Sequence, residues 1–464
     1  MEDLQTLFSP RSVALVGIPR SFKIGTLFLM ALKDQGFAGP IYPVNPNATE
    51  IDGLRSYPRV ADLPDPVDMA IVMVPKARVM DVLEDCARKN VKIVILYTSG
   101  YGESGEREGL DEQERIKEVA RKGGFRLLGP NCMGVHSSSA GLAFFPEMPR
   151  ESGSVGLISQ SGSLCNLLMK AFEPRKLFLR HAVSYGNGCD VDLPELLEWM
   201  GRQPDIRMIC AYTEGVRDGR SLARAMETIA GRKPLIMWKV GRTAAGQRAA
   251  ASHTGSLAGD ENMWKALFQQ NGVLDVSDLE EMMDLVMAAH YLPWEGKGRI
   301  VLVSGPGGPV VSAADAAERW GLTMASLGEE TRKRLNASLP ATGTSYRNPV
   351  DVGLSASFEL NLYLDTLQTL TEDRNVDAIV MLGGGISEET NQVYLEGLMK
   401  IGKATEKSVI AVAYPGFVQL EDWLEPLCGA GIPVYPTPER ALRAYARIRQ
   451  FVDFRDRRTG TATR

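Results

Sequence analysis

At 464 residues, the chain has length for about three domains of roughly 150 residues each. With 44% hydrophobic and 23% charged residues it can build ordinary globular cores, and a net charge of −5 argues against non-specific nucleic-acid binding, which needs a basic face. A small phosphate-bearing ligand is still compatible, because a few backbone amides and lysines can grip phosphate locally. The six cysteines are scattered without a CxxC pair. That excludes a disulfide framework or a zinc site and suits a reducing cytosol. The start, MEDLQTLFSPRSVALVG, lacks a charged-then-apolar signal pattern. No apolar run approaches the roughly 18 residues of a membrane span, so a cytoplasmic chain is expected.

In chain order, short β-branched runs alternate with amphipathic stretches, a rhythm of βαβ units and parallel sheets. The first block has runs at 12–17 (SVALVG), 41–46, 68–75, 91–98 and 125–131, with a helix expected over 79–90. A polar passage with Pro and Gly, 136–153, reads as a linker. The second block runs through 154–162, 179–188, 206–215, 234–241 and 271–278, and 291–298 reads as the next linker. The third block has runs at 299–309, 322–327, 376–385, 408–416 and 431–445. Its end echoes the end of the second block, which suggests that the two are related sheets. The expected domains are 1–135, 152–292 and 298–452, and the tail DFRDRRTGTATR is expected to fray.

Each block opens with a strand running into a Gly-rich turn. In the first, Gly17 lets backbone approach a phosphate, the following helix offers free N–H groups, and Lys23 could add charge. A plain strand-to-helix turn is the competing reading. In the second, Ser159, Ser161 and Ser163 surround Gly162 like a helix N-terminus, whose partial positive charge suits an anion. A serine N-cap is the competing reading there. Gly305, Gly307 and Gly308 repeat the design with bare backbone in the third block. Glu214 follows a strand, where open α/β sheets place their ligands, although a solvated loop carboxylate would look the same.

His253, one of four histidines, stands in RAAASHTGSLAGD, a segment expected to be a loop of small residues able to swing. No second His or Cys lies at ligand spacing, so a metal is not expected. A neutral imidazole is a competent nucleophile near neutral pH, and a phosphoryl group on it would be stabilised by helix N-termini. An ordinary surface histidine is the competing reading, and these residues alone do not separate the two.

The chain resembles the α subunit of ADP-forming (NDP-forming) acyl-CoA synthetases of the acetyl-CoA synthetase type, relatives of succinyl-CoA synthetase. The likeness spans nearly the whole chain. It is carried by IYPVNPN, VDMAIVMVP, GPNCMG, VGLISQSGSL, YTEGVRDGR, KVGRTAAGQRAAASHTGSLAGD and NPVDVG. The resemblance implies an α/β protein of three consecutive domains with mostly parallel sheets: a Rossmann-like CoA-binding domain, then two flavodoxin-like domains. It implies that His253 is transiently phosphorylated and that Glu214 orients it. Phosphate would be held at Ser161, Gly162 and Ser163 and at the helix start Gly307–Gly308. Coenzyme A contacts would come from Gly17, Ile18, Pro19, Arg20, Lys23, Asn45, Pro46, Val74, Pro75, Ser99, Gly100 and Asn131.

In the implied cycle, a carboxylic acid takes the enzyme's phosphoryl group to form an acyl phosphate. The CoA thiol then displaces phosphate, and His253 exchanges its phosphoryl group with ATP or ADP. The three blocks leave no length for a nucleotide site. ATP, ADP and Mg²⁺ are therefore expected on an ATP-grasp β subunit, in an α2β2 heterotetramer. The chain departs from the family at Gly17-Ile18-Pro19 (usually Gly-Ala-Ser), at Asn47 (usually Lys), at Ser99-Gly100-Tyr101 and at Gly305-Pro306-Gly307-Gly308. Two other functions fit the residues less well. A non-catalytic CoA-binding or regulatory subunit sits poorly with retention of both His253 and Glu214. An NAD-dependent oxidoreductase sits poorly with the absence of GxGxxG and its acidic partner.

Overall fold

The computed structural model describes residues 3–254, 260–294, 297–305, 307–354, 360–384, 387–414 and 418–460. It divides into two compact units, one of residues 1–171 with 178–277, the other of 172–177 with 278–464. The first unit holds two sheets and the second unit holds a third.

The first sheet contains β1 (Val13–Val16), β2 (Ile41–Val44), β5 (Met69–Val72), β6 (Ile93–Leu96) and β7 (Arg126–Leu128), all parallel, in the order β2-β1-β5-β6-β7. A two-residue hairpin, β3 (Glu50–Ile51) with β4 (Leu54–Arg55), lies beside it in sequence. Helices such as Ile24–Asp34 and Val79–Arg88 connect the strands. Strands β1, β5 and β6 are buried at every position, which is why they read as continuous apolar runs rather than alternating ones.

The second sheet contains β8 (Gly134–Ser137), β9 (Val155–Ser159), β10 (Leu179–Ser184), β11 (Met208–Thr213), β12 (Leu235–Lys239) and β13 (Leu274–Val276), in the order β13-β12-β11-β9-β10-β8. The third contains β14 (Arg299–Ser304), β15 (Thr323–Met324), β16 (Val350–Asp351), β17 (Ala378–Leu382), β18 (Ser408–Val412) and β19 (Val434–Tyr435), in the order β15-β14-β17-β18-β19 with β16 paired to β14. Setting aside the edge strands β8 and β16, all three sheets wind alike. The second parallel strand lies on one side of the first, and the third, fourth and fifth lie on the other. That reversal leaves a crevice between the first and third strands, at their carboxyl ends.

Three details differ from the reading of the sequence. The passage read as a linker from 136 opens inside β8, which pairs antiparallel with β10 (Ser137 opposite His181, Gly134 opposite Ser184). Its polar residues misled because they are buried: His136 and Ser137 are inside, and Ser137 Oγ lies 3.1 Å from His181 Nδ1. The histidine segment, expected as a loop, is helical over Ala244–Thr254, since alanine is the best helix former and the segment is rich in it. The helix Leu279–Tyr291 groups with the third sheet rather than the second. It buries Met282, Leu285 and Val286 and is tied to the helix Pro438–Thr459 by Arg440, whose Nε and Nη2 donate to Asp284 at 2.8 and 2.9 Å.

Candidate functional site

The first crevice, at β1 and β5, is a cleft of about 830 Å³. Five of the expected coenzyme A residues line it: Gly17, Asn45, Pro46, Val74 and Pro75. Gly17 has φ +86°, and a Cβ there would stand 2.8 Å from Val74 Cγ1. The two strand ends can therefore meet only because residue 17 has no side chain. Asn45 holds the turn by donating from Nδ2 to the Ile18 carbonyl at 2.8 Å. Ile18 itself is fully buried, so its side chain offers no contact surface. Pro19, Arg20 and Lys23 do not line the cleft, and Arg20 and Lys23 are exposed. Ser99 and Gly100 are exposed on a neighbouring loop, where Lys76 Nζ donates to the Gly100 carbonyl. Asn131 lies elsewhere, beside Asn187, with the Asn131 N–H donating to the Thr98 carbonyl at 3.1 Å. Reading the sequence missed three arginines on the cleft wall, Arg59, Arg78 and Arg88. Arg78 and Arg88 flank the helix Val79–Arg88, whereas Arg59 stands well before it and carried no signal of its own.

The second crevice lies between β9 and β11, which run in parallel register from Met208 opposite Val155 to Tyr212 opposite Ser159. Gln160 follows one strand and Glu214 the other, and both are buried. Gln160 Oε1 accepts the Glu214 N–H at 2.8 Å and the Tyr185 hydroxyl at 3.2 Å. The Tyr212 hydroxyl reaches Glu214 Oε1 at 3.4 Å. Lys239, 2% exposed at the end of β12, donates from Nζ to the Glu214 carbonyl at 2.9 Å and also to the Val240 carbonyl. Its ammonium lies 5.2 Å from the Trp264 ring centroid. Burial, with Arg242 nearby, lowers its pKa to about 8. Glu214 is thus a buried carboxylate on a backbone held from both sides, not a solvated loop residue. Gln160 and Lys239 sit inside VGLISQSGSL and KVGRTAAGQRAAASHTGSLAGD, where nothing in their spacing marks them.

The helix Gly162–Phe172 begins at the same crevice. Ser161 Oγ accepts the Leu164 N–H at 3.3 Å and lies 3.2 Å from Ser163 Oγ. Ser161 therefore caps the helix, and the N–H groups of Gly162 and Ser163 keep no acceptor among the described residues. Gly162 must be glycine for packing: a Cβ would come within 2.4 Å of Met133 Cγ. The backbone of His253 is in the last turn of the helix Ala244–Thr254, which packs on the turn Gly102–Ser104 of the first domain. The His253 side chain lies outside the described residues, as do 255–259.

In the other unit, Gly307 and Gly308 open the helix Gly307–Arg319, with Asp351 Oδ2 2.9 Å from where a Cβ on Gly307 would be. Pro306 lies outside the described residues. Among the described residues no group of three or more His, Cys, Asp or Glu is placed to hold a metal ion. No described helix is long and apolar enough to cross a membrane.

The family model described as a CoA binding domain matches residues 11–138, and that described as a succinyl-CoA ligase like flavodoxin domain matches 152–289. The chain is 36% identical to the Pyrococcus furiosus ADP-forming acetate–CoA ligase II subunit alpha, over 96% of this chain and 98% of that one. The ADP-forming acetate–CoA ligase I of Archaeoglobus fulgidus is 33% identical over 95% of this chain, which spans only 62% of that longer protein. Among solved structures, a dinucleotide forming acetyl-coenzyme A synthetase 1 of Ca. Korarchaeum cryptofilum, in complex with phosphate and ADP, has a TM-score of 0.86 at 30% identity, with complete coverage of both chains.

Proposed function

The chain belongs to the alpha subunits of the ADP-forming acetate–CoA ligases, and from that membership we propose the residues that carry the reaction. It is a component of an acid–CoA ligase, an enzyme that joins carbon to sulfur. Coenzyme A binds the first cleft, its pyrophosphate near the Gly17 turn and its phosphates within reach of Arg59, Arg78 and Arg88. His253 carries the phosphoryl group. Glu214 orients the imidazole and stabilises its charged form. The N–H groups of Gly162 and Ser163, with the Ser161 hydroxyl, hold the phosphoryl oxygens at the helix start. The helix start at Gly307 and Gly308 is proposed for the same task.

A carboxylate oxygen attacks the phosphorus on His253, the P–N bond breaks, and an acyl phosphate and free imidazole result. The coenzyme A thiol loses its proton and its sulfur attacks the acyl carbon. The C–O bond to phosphate breaks, and inorganic phosphate leaves with the proton. ATP then returns a phosphoryl group to His253 and departs as ADP. The relatives are alpha subunits, which implies a partner, and the nucleotide step with its Mg²⁺ is assigned to an ATP-grasp β subunit in an α2β2 assembly. The six cysteines are all free and buried, which suits a cytoplasmic enzyme.

The observation that carries this reading is the buried Glu214, fixed between Gln160 and Lys239 at the crevice where the helix Gly162–Phe172 begins. The test is incubation of the chain and its partner subunit with γ-labelled ATP. Acid-labile label should appear on the wild type and be lost in His253→Ala, while CoA binding survives. Normal acyl-CoA formation by His253→Ala would sink the assignment.

A further inference from the structure

The steps above give no task to Lys239. A lysine is almost never fully buried unless its charge is paired. This one is 2% exposed, and its ammonium donates to two backbone carbonyls rather than to a carboxylate. We propose that Lys239 is a positioning residue for the phosphoryl step: its ammonium ties both roots of the histidine segment to the Glu214 peptide, and the rate at which His253 takes a phosphoryl group depends on that tie. This rests on the ligase reading and deepens it.

Three elements meet at Lys239 Nζ. The first is the end of β11, which carries Glu214. Nζ donates to the Glu214 carbonyl at 2.9 Å, and Gln160 Oε1 accepts the N–H of the same residue at 2.8 Å. Both polar atoms of the Glu214 backbone are therefore held, and its carboxylate projects from a fixed Cα.

The second element is the turn that feeds the helix Ala244–Thr254. Nζ also donates to the Val240 carbonyl, while the Val240 N–H donates to the Thr213 carbonyl at 3.0 Å. Gly241 then turns the chain with φ +72°. Arg242 ties the same turn from its far side. Its Nε donates to the Lys239 carbonyl at 2.7 Å and its Nη1 to Asp275 Oδ2 at 2.8 Å.

The third element is the helix Glu261–Asn271, which begins beyond the histidine segment. Its buried Trp264 sets a ring centroid 5.2 Å from the ammonium, within cation–π reach. The chain thus leaves Lys239 through Val240, runs through the helix that ends past His253, and returns to Lys239 at Trp264. Both attachments of the segment, and the backbone of the carboxylate that orients the imidazole, are referred to one nitrogen. A misplacement of about 1 Å at such a joint can cost roughly a hundredfold in rate.

The tie also depends on charge. The charged groups facing the ammonium are Arg242, which opposes its charge and is itself paired with Asp275, and Glu214, which favours it. Burial and Arg242 prevail over Glu214 and lower the Lys239 pKa to about 8. The Tyr212 hydroxyl beside Glu214 has its pKa raised by burial, so it keeps its proton while Lys239 loses one. As pH rises through about 8, the charge-assisted bonds to both carbonyls and the attraction to the Trp264 ring weaken together.

The experiment uses the chain with its partner subunit and measures, in a single turnover, how fast γ-labelled ATP places acid-labile label on the chain. Acid and CoA are left out, so no thiol titrates. The wild-type rate should fall roughly tenfold between about pH 7 and about pH 9.5, with its break near the Lys239 pKa. Lys239→Met should be slower by roughly tenfold at about pH 7, should show no break near pH 8, and should bind CoA within about twofold of normal. Trp264→Leu keeps the ammonium but removes the ring that favours its charge, so its break should move to lower pH. That variant and the wild-type profile carry the test should Lys239→Met not fold. A wild-type rate that is flat across this range would overturn the proposal. So would a Lys239→Met variant that is within about twofold of normal at about pH 7, or that is slow but keeps the wild-type break, as a merely structural lysine would. Failure of the wild type to take label at any pH would instead remove the ligase reading on which the proposal stands.

Discussion

Replacing Gly17 by alanine should damage both the stability of the first unit and its hold on coenzyme A. The residue sits at φ +86°, where a side chain costs about 1–2 kcal/mol. The new Cβ would also stand 2.8 Å from Val74 Cγ1 and 3.1 Å from the backbone of Met73 and Val74. Forcing β1 and β5 apart to admit it adds about 1–3 kcal/mol of overpacking. The sum is on the order of 2–5 kcal/mol. Gly36 supplies the control, because it has φ +73° with no atom within 4 Å of an added Cβ. Gly36→Ala therefore carries only the conformational part, and the difference between the variants, about 1–3 kcal/mol, reads the steric part. Since Val74 lines the cleft, its displacement should weaken CoA binding by roughly tenfold, or about 1.4 kcal/mol, in Gly17→Ala alone. Urea unfolding gives the first quantity and titration calorimetry with CoA the second. If the two variants were equally destabilised and bound CoA alike, the cleft would not be built around the Gly17 contact.

Two further outcomes are expected. Glu214→Gln should lower turnover by at least roughly tenfold with CoA affinity unchanged, because a carboxylate that orients an imidazole and stabilises its charge is worth more than about 1.4 kcal/mol; kinetics with the partner subunit would show an unchanged rate if Glu214 only supports the fold. Lys239 has a pKa lowered to about 8, below its ordinary 10.5, so above pH 8 the folded chain binds fewer protons than the unfolded one and stability should rise with pH through that window. Lys239→Met should lose up to about 2 kcal/mol of the rise between pH 8 and 9.5, and identical slopes in pH-dependent denaturation would refute the burial of its charge.

The parallel sheets were readable because strands buried on both faces must be apolar throughout, as β1, β5 and β6 are. Strand β8 was not, because GVHS carries two polar residues that are nonetheless buried, Ser137 against His181 far along the chain. The same limit governed the site. The place of Glu214 after a strand was legible, but its burial was not. Gln160 was not, since its importance lies in Oε1 being held by Tyr185 and Glu214, residues 25 and 54 positions away. The arginines of the first cleft were hidden likewise: Arg59 and Arg88 meet only through Asp85, to which both donate.

The three sheets share one winding, so each presents a crevice at the same place, yet the crevices differ in what the strand ends carry. In the first, Gly17 and Asn45 offer a narrow turn, with arginines on the opposite wall. In the second, Gln160 and Glu214 place a fixed amide and a buried carboxylate side by side. In the third, the strand ends are Gly305 and Gly383–Gly384, and the buried Tyr363 hydroxyl donates to the Val303 carbonyl at 2.9 Å between β14 and β17. That crevice offers backbone N–H groups at the ends of β14 and β17, with the Asp351 carboxylate of β16 beside Gly307. Winding therefore decides where a ligand can sit, and the two or three residues after each strand decide what can be done to it. On the proposed assignment of His253 and Glu214, covalent chemistry belongs to the second sheet. Substitutions at Gly305 or Gly383 should alter binding of an anion at the third sheet without changing which bonds the enzyme can make or break.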